Sequence, residues 1–275
     1  MTMSYRAIGI YREPEFSPGK VAADAAILEE SLGELRREGV DTRAMTPGEF
    51  LDQHEVGTDL VLAMCQSESA LRRLAEVERT GAVAINSALA IRNCYRDLLA
   101  PGLTRAGVPT PAGALVRTDE RLDHRVLGAI DLDVPVFVKR GDLHALAEED
   151  VQRAVGKAQV EVQLNALARR GVRRAYVQQE CPGGLIKFYG VGGGAYFTAL
   201  PASGEVPEAA VRELSEAARK ASAALGLEVW GGDAILDEGG FAIVDFNDWP
   251  SFSRVRTPAA RAIARRALSL LARAR

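Results

Sequence analysis

Two alternating segments near the C-terminus, Ala234 to Leu236 and Phe241 to Phe246, are joined by Asp237-Glu238-Gly239-Gly240, a pattern that predicts a β-hairpin. In a strand, residues two apart share a face, so Asp245 and Asn247 point one way and Phe246 the other. Asp233, on the preceding strand, is brought beside them across the turn. Two carboxylates and one amide oxygen, with positions left for water and phosphate, suit Mg²⁺ held together with a nucleotide. The same residues also read as an ordinary acidic hairpin with an Asx turn before Pro250.

The rest of the chain narrows that choice. Its 275 residues suffice for one large domain or two to three small ones. Lys and Arg total 34 against 37 Asp and Glu, for a formal charge of −3, so no global field points to nucleic acid or an anionic membrane. Cys65, Cys94 and Cys181 are widely spaced and odd in number, which argues against a disulfide framework and a zinc site. Met1 to Arg6 is expected to run directly into a first strand, and no run approaches the roughly 18 apolar residues of a membrane span. A cytoplasmic protein is expected.

Strands are predicted at Ala7–Tyr11, Asp41–Met45, Asp59–Met64 and Val83–Asn86, with helices over Val21–Glu38 and from Ser67 to about Thr80. This alternation implies an open α/β layer with a parallel sheet. One helix is expected from Ala88 to Ala106, stopped by Gly107 and followed by the extended linker Val108-Pro109-Thr110-Pro111. The boundaries expected are 1–110, 111–177 and 178–275. The middle portion holds strands at Val134–Lys139 and Arg174–Gln178, with helices expected over about 147–155 and 161–170. The last holds strands at Leu185–Val191 and Tyr196–Leu200, a helix over Pro207–Leu225, the hairpin, and a terminal helix capped by Thr257 with Pro258 in its first turn.

Lys139 ends an apolar strand, where a cation either reaches solvent or meets phosphate. Gln178-Gln179-Glu180-Cys181 ends the next strand and breaks at Pro182-Gly183-Gly184, a hinge whose backbone suits an adenine edge. Lys187 lies inside an alternating strand and either snorkels outward or faces a polar cleft. The ordered set Lys139, Gln178 to Cys181, Lys187, Asp233, Asp245 and Asn247 resembles the ATP-grasp superfamily, over roughly residues 83–255. The stretch from Ile85 to Arg96 and the linker to Pro111 resemble the segment before that family's nucleotide site, with Arg96 where Lys is usual.

The resemblance implies an α/β (α+β) fold: a pre-grasp α/β domain and two subdomains clamping ATP. It implies that Arg96 and Lys139 contact phosphates, that Gln178, Gln179, Glu180 and Cys181 hold adenine and ribose, and that Lys187 faces the nucleotide. Asp233, Asp245 and Asn247 would hold Mg²⁺. The loop after Lys139 has one glycine where the family places a Gly- and Ser-rich lid, and its His144 reads either as a γ-phosphate contact or as a surface residue. Arg254 and Arg256 share a face if their segment is extended, and there suit an acidic small-molecule acceptor. The activity implied is a Mg²⁺-dependent, ADP-forming ligase of the glutathione synthetase or ribosomal-protein glutamate ligase type, activating a carboxylate for attack by an amine. The alternatives are a small-molecule kinase similar to inositol trisphosphate kinases, carried by residues 183–192 and 245–250, and a nucleotide-sensing module without turnover. No nucleic-acid or membrane partner is expected, and a homodimer is left open.

Overall fold

The computed structural model describes residues 5–274, so Met1 to Ser4, expected to lead into the first strand, lie outside the described residues. The first layer runs β1 (Arg6–Ile10), α1 (Val21–Arg37), β2 (Asp41–Met45), α2 (Pro47–Leu51), β3 (Leu60–Ala63), α3 (Glu68–Glu78) and β4 (Val83–Ile85). Its sheet is parallel with order β2-β1-β3-β4, as the alternating pattern required. The short α2 was not foreseen, although Thr46 and Glu49 form a capping box around Pro47. Strand order reverses between β1 and β3, and such a switch point leaves a crevice beyond the carboxyl ends of those strands.

The helix expected over 88–106 is two helices, α4 (Ala88–Asn93) and α5 (Arg96–Arg105). Tyr95 interrupts them with an extended backbone, and its hydroxyl bonds the Gln66 carbonyl. Next come β5 (Gly113–Arg117), α6 (His124–Leu127), β6 (Val136–Arg140), β7 (Val151–Ala154), α7 (Gly156–Arg169) and β8 (Arg174–Gln179). Their antiparallel sheet has the order β5-β8-β6-β7. A helix does not form over 147–155: a 3₁₀ turn at Glu148–Asp150 leads into the edge strand β7. The Asp150 carboxylate accepts the Leu146 and Ala147 amides and so fixes the turn. Apolar residues at 147, 151 and 154 imitate helical spacing over a segment too short to separate the two periods.

The third sheet, order β10-β9-β11-β12, is antiparallel and built from β9 (Gly184–Val191), β10 (Tyr196–Pro201), β11 (Val229–Asp237) and β12 (Gly240–Asp248). Between β10 and β11 lies α8 (Glu208–Leu225), and α9 (Arg256–Arg273) closes the chain. α9 begins at Arg256 with Val255 as its N-cap, so Thr257 lies inside the helix rather than capping it. Phe188, Trp230 and Phe246 pack ring against ring on the face that α5 and α8 cover. Complete burial of each contributes about 1.5–3 kcal/mol. α9 turns back onto α1, where Ala259, Ile263 and Ala267 share a core with Leu28 and Leu32.

Polar staples hold the third sheet to the first layer. Asn86 donates to the Val229 carbonyl and accepts the Glu228 and Val229 amides. Trp249 donates its indole N–H to the Ile85 carbonyl at 3.0 Å. The carboxyl ends of β1 and β3 therefore face the end of β12.

Candidate active site

The register of the third sheet sets Lys187 on β9 beside Asp233 on β11, and Asp233 beside Asp245 on β12. The period of two puts Asn247 on the same face as Asp245, and its amide donates to Asp245 Oδ2 at 3.4 Å. Phe246 points to the buried face. A register shift between Asp233 and Ala234 marks a bulge, a device that re-aims side chains next to sites. A Cβ on Gly232 would stand 2.3 Å from the Asp245 carbonyl oxygen, so only glycine lets the strands approach this closely here.

A cavity of about 240 Å³ opens over this face, and Lys187, Asp233, Asp245, Asn247 and His144 all line it. Lys187 Nζ lies 2.8 Å from Asp233 Oδ1. Burial works against the Lys187 charge, but the Asp233 bond and charge prevail and its pKa is raised. Burial likewise opposes the Asp245 charge. Arg96, 3.8 Å away, and Lys139 more than offset it, holding that carboxyl below its ordinary pKa. An ionised Asp245 beside Asp233 and the Asn247 amide fits a hard divalent cation. Among the described residues no three His, Cys, Asp or Glu side chains converge as a metal cage. Two carboxylates and an amide leave coordination positions for phosphate oxygens, which suits Mg²⁺ arriving with a nucleotide.

Arg96 and Lys139 stand behind the cavity wall. Arg96 is buried and donates to the Arg140 and Leu143 carbonyls. Lys139 lies between the second and third sheets and donates to the Val244 carbonyl at 3.3 Å. Burial lowers its pKa to about 8. Gln178 shares with Arg96 a neighbouring recess of about 20 Å³. Gln179 spans Asp131 and Pro135, and Glu180 accepts from Nε and Nη2 along one edge of the Arg153 guanidinium at 2.9–3.1 Å. Cys181 is half-buried, with its thiol pKa raised by burial.

The loop after β6 covers part of the cavity with His144 and Ala145. Arg140 ties the loop to Asp142 and Asp150. A Cβ on Gly141 would meet the Arg174 backbone at 2.8 Å. Its single glycine thus permits close passage past β8. Arg254 is exposed, and Arg256 opens α9 instead of continuing an extended segment, so the condition on which a shared face was expected is not met. Neither residue lines the cavity.

The opposite wall was missed in the sequence. Arg12, Ser17 and Asp24 come from the segment between β1 and the first turns of α1, Gln66 follows β3, and Asp248 ends β12. Arg12 pairs with Asp24 at 3.2 Å and Asp248 at 3.9 Å, and donates to the Met64, Asp248 and Trp249 carbonyls. Ser17 donates to Asp24 at 2.6 Å. Burial raises the Asp248 pKa to about 6, against the charge of Arg12 and a bond from Gln66. Positions just beyond the first and third strands of a parallel layer were the available signal.

Over 99% of its own length and 99% of the other chain's, this chain is similar to a crystal structure of D-alanine–D-alanine ligase from Bacillus anthracis complexed with ATP, with a TM-score of 0.75 and 12% identity. A second crystal structure of that ligase matches with the same score and identity over 98% of this chain and 99% of its own. No protein-family model and no curated protein matches the sequence. At this identity the likeness establishes the fold, and the chain has the ATP-grasp fold that its ordered residues resembled.

Proposed function

We propose that this chain is an ATP-dependent, ADP-forming ligase that joins a carboxylate to an amine. The observation that carries the reading is the alignment of Lys187, Asp233, Asp245 and Asn247 on three adjacent strands beneath one polar cavity. Both structural neighbours support it, because each is a ligase of this overall shape. Asp233, Asp245 and Asn247 would hold Mg²⁺, which when bound neutralises phosphate charge. Arg96 and Lys139 supply fixed positive charge toward the phosphates, and Lys187 adds a third cation as the γ-phosphoryl passes to the acceptor carboxylate. Gln178 to Cys181 hold adenine through the hinge. The cavity wall from β1 and β3 excludes water from the acyl phosphate until an amine attacks it.

Arg254 and Arg256 remain our candidates for the carboxylate of a small acidic substrate approaching from outside the cavity. A cytoplasmic location and a homodimer accord with this reading. Among the described residues no helix is long and apolar enough to cross a membrane.

Incubation with MgATP and pools of amino acids, small acids and polyol phosphates tests the reading. ADP and free phosphate in equal amounts with a condensed product are expected. ADP without free phosphate, and a product heavier by one phosphoryl group, would establish a kinase instead.

A further inference from the structure

The loop after β6 reaches across to the first layer, and a single guanidinium joins it to the strand that carries Asp245. Leu143 packs against the core that holds Ile91 and Tyr95, and His144 bonds the Gln66 side chain and meets the Phe16 ring edge-on. Arg96 is 5% exposed and divides its guanidinium between two elements. Nη1 donates to the Arg140 carbonyl at 2.9 Å and the Leu143 carbonyl at 3.4 Å, so it spans the start of the loop. Nη2 stands 3.8 Å from Asp245 Oδ1. The base of the side chain is fixed as well, because the Tyr95 hydroxyl bonds the Gln66 carbonyl where α5 begins. The Asp245 carboxylate accepts from the Phe246 amide and the Asn247 side chain, both on its own strand, and its ion pair with Arg96 leads from there to the loop.

We infer that Arg96 is a positioning residue that holds residues 141–145 over the cavity and ties them to Asp245. The inference deepens the ligase reading and rests on it for what the cavity holds. A guanidinium suits the task because its two terminal nitrogens leave a planar fork in different directions, whereas a lysine ends in one nitrogen. Burial strengthens the tie. Carbonyls and a carboxylate are the groups this cation has exchanged for water, so letting go of either leaves a buried charge short of a partner. His144 and Ala145 line the same cavity as Asp245, so one side chain fixes the covering loop relative to β12. In the ligase reaction the loop so held keeps water from the acyl phosphate.

Hydrogen exchange read by mass spectrometry on the nucleotide-free protein tests the tie without turnover. Arg96→Lys keeps the charge and gives up the fork. Peptides spanning 141–147 are expected to exchange roughly tenfold faster in this variant, while peptides of α7 and α8 keep their rates. Asp245→Asn keeps the shape of its side chain and removes the charge. It is expected to speed exchange of the same loop several-fold in the unaltered background and to add nothing in the Arg96→Lys background. In turnover, Arg96→Lys is expected to raise free phosphate relative to condensed product several-fold. Unchanged loop exchange in Arg96→Lys would leave Arg96 as a phosphate cation only, and a rise shared by α7 and α8 would mark general loosening. An equal effect of Asp245→Asn in both backgrounds, or none in either, would uncouple the loop from Asp245, and an unchanged phosphate ratio would deny the loop its part in excluding water. Each of these results overturns the inference. Should Arg96→Lys fail to fold, Asp245→Asn alone decides: faster exchange over 141–147 supports the tie and unchanged exchange overturns it. The exchange measurements use no ligand, so the ADP and phosphate balance judges the ligase reading separately.

Discussion

At the end of the cleft proposed to hold the metal, Lys187, Asp233, Asp245 and Asn247 stand on neighbouring strands around an open cavity. At the hinge end, Lys139 reaches across to the Val244 carbonyl, and only a recess of about 20 Å³ remains beside Gln178. The contrast follows from charge. Each metal-end carboxylate has a nearby cation, so that end is stable as built. Lys139 has lost water and gained a carbonyl, a contact 6.0 Å from the centre of the Phe137 ring and the charges of Asp245 and Asp233, and burial still dominates its pKa. On the proposed reading, nucleotide phosphates are the partner it lacks.

The largest effect expected from breaking this contrast is at the metal end. Asp245→Ala or Asn247→Ala lowers MgATP-dependent ADP release by at least about 10²–10³-fold while leaving the circular dichroism spectrum unchanged. Normal turnover in either variant would remove these residues from the metal site. Next is Arg12→Met, which leaves Asp24 and Asp248 buried without their cation. A loss of about 3–5 kcal/mol is expected in urea denaturation, and an unchanged midpoint would show that Arg12 does not brace the wall.

The hinge end gives smaller effects. Lys139 has a folded pKa of about 8 against an ordinary 10.5, so between these values the unfolded chain binds more protons than the folded one. Stability of the nucleotide-free protein therefore rises with pH from about 8 toward 10.5, by up to about 3 kcal/mol. Lys139→Met removes this slope, and a slope that persists in the variant would assign it to other groups. ATP affinity moves the opposite way, weakening above pH 8 as the ammonium loses its proton. The smallest effect is that of Arg153→Ala, which frees Glu180 at an exposed pair. A few-fold change in ATP affinity without a change in unfolding midpoint is expected, and unaltered affinity would place Glu180 outside the nucleotide site.

Much of the fold was legible because its signals are local. Alternation marked β9, β11 and β12, and a period of two was enough to align Asp245 with Asn247. The edge strand β7 was misread because apolar residues at 147, 151 and 154 satisfy either period over so short a stretch. The wall containing Arg12, Gln66 and Asp248 was illegible for another reason. Arg12 donates to the Asp248 carbonyl across 236 residues of sequence, and no short-range pattern encodes a contact made by docking one layer on another. The extended segment that would align Arg254 with Arg256 does not form, because the Val255 amide bonds back to the Phe252 carbonyl in a turn and α9 begins at Arg256.

Calorimetric titration of ATP with and without Mg²⁺, on the unaltered protein and on Asn247→Ala, tests the central claim most directly. The structure predicts ATP binding that strengthens at least about tenfold with Mg²⁺, and a metal dependence that disappears in the variant. Equal affinity with and without the metal in the unaltered protein would contradict a nucleotide site built on Asp233, Asp245 and Asn247.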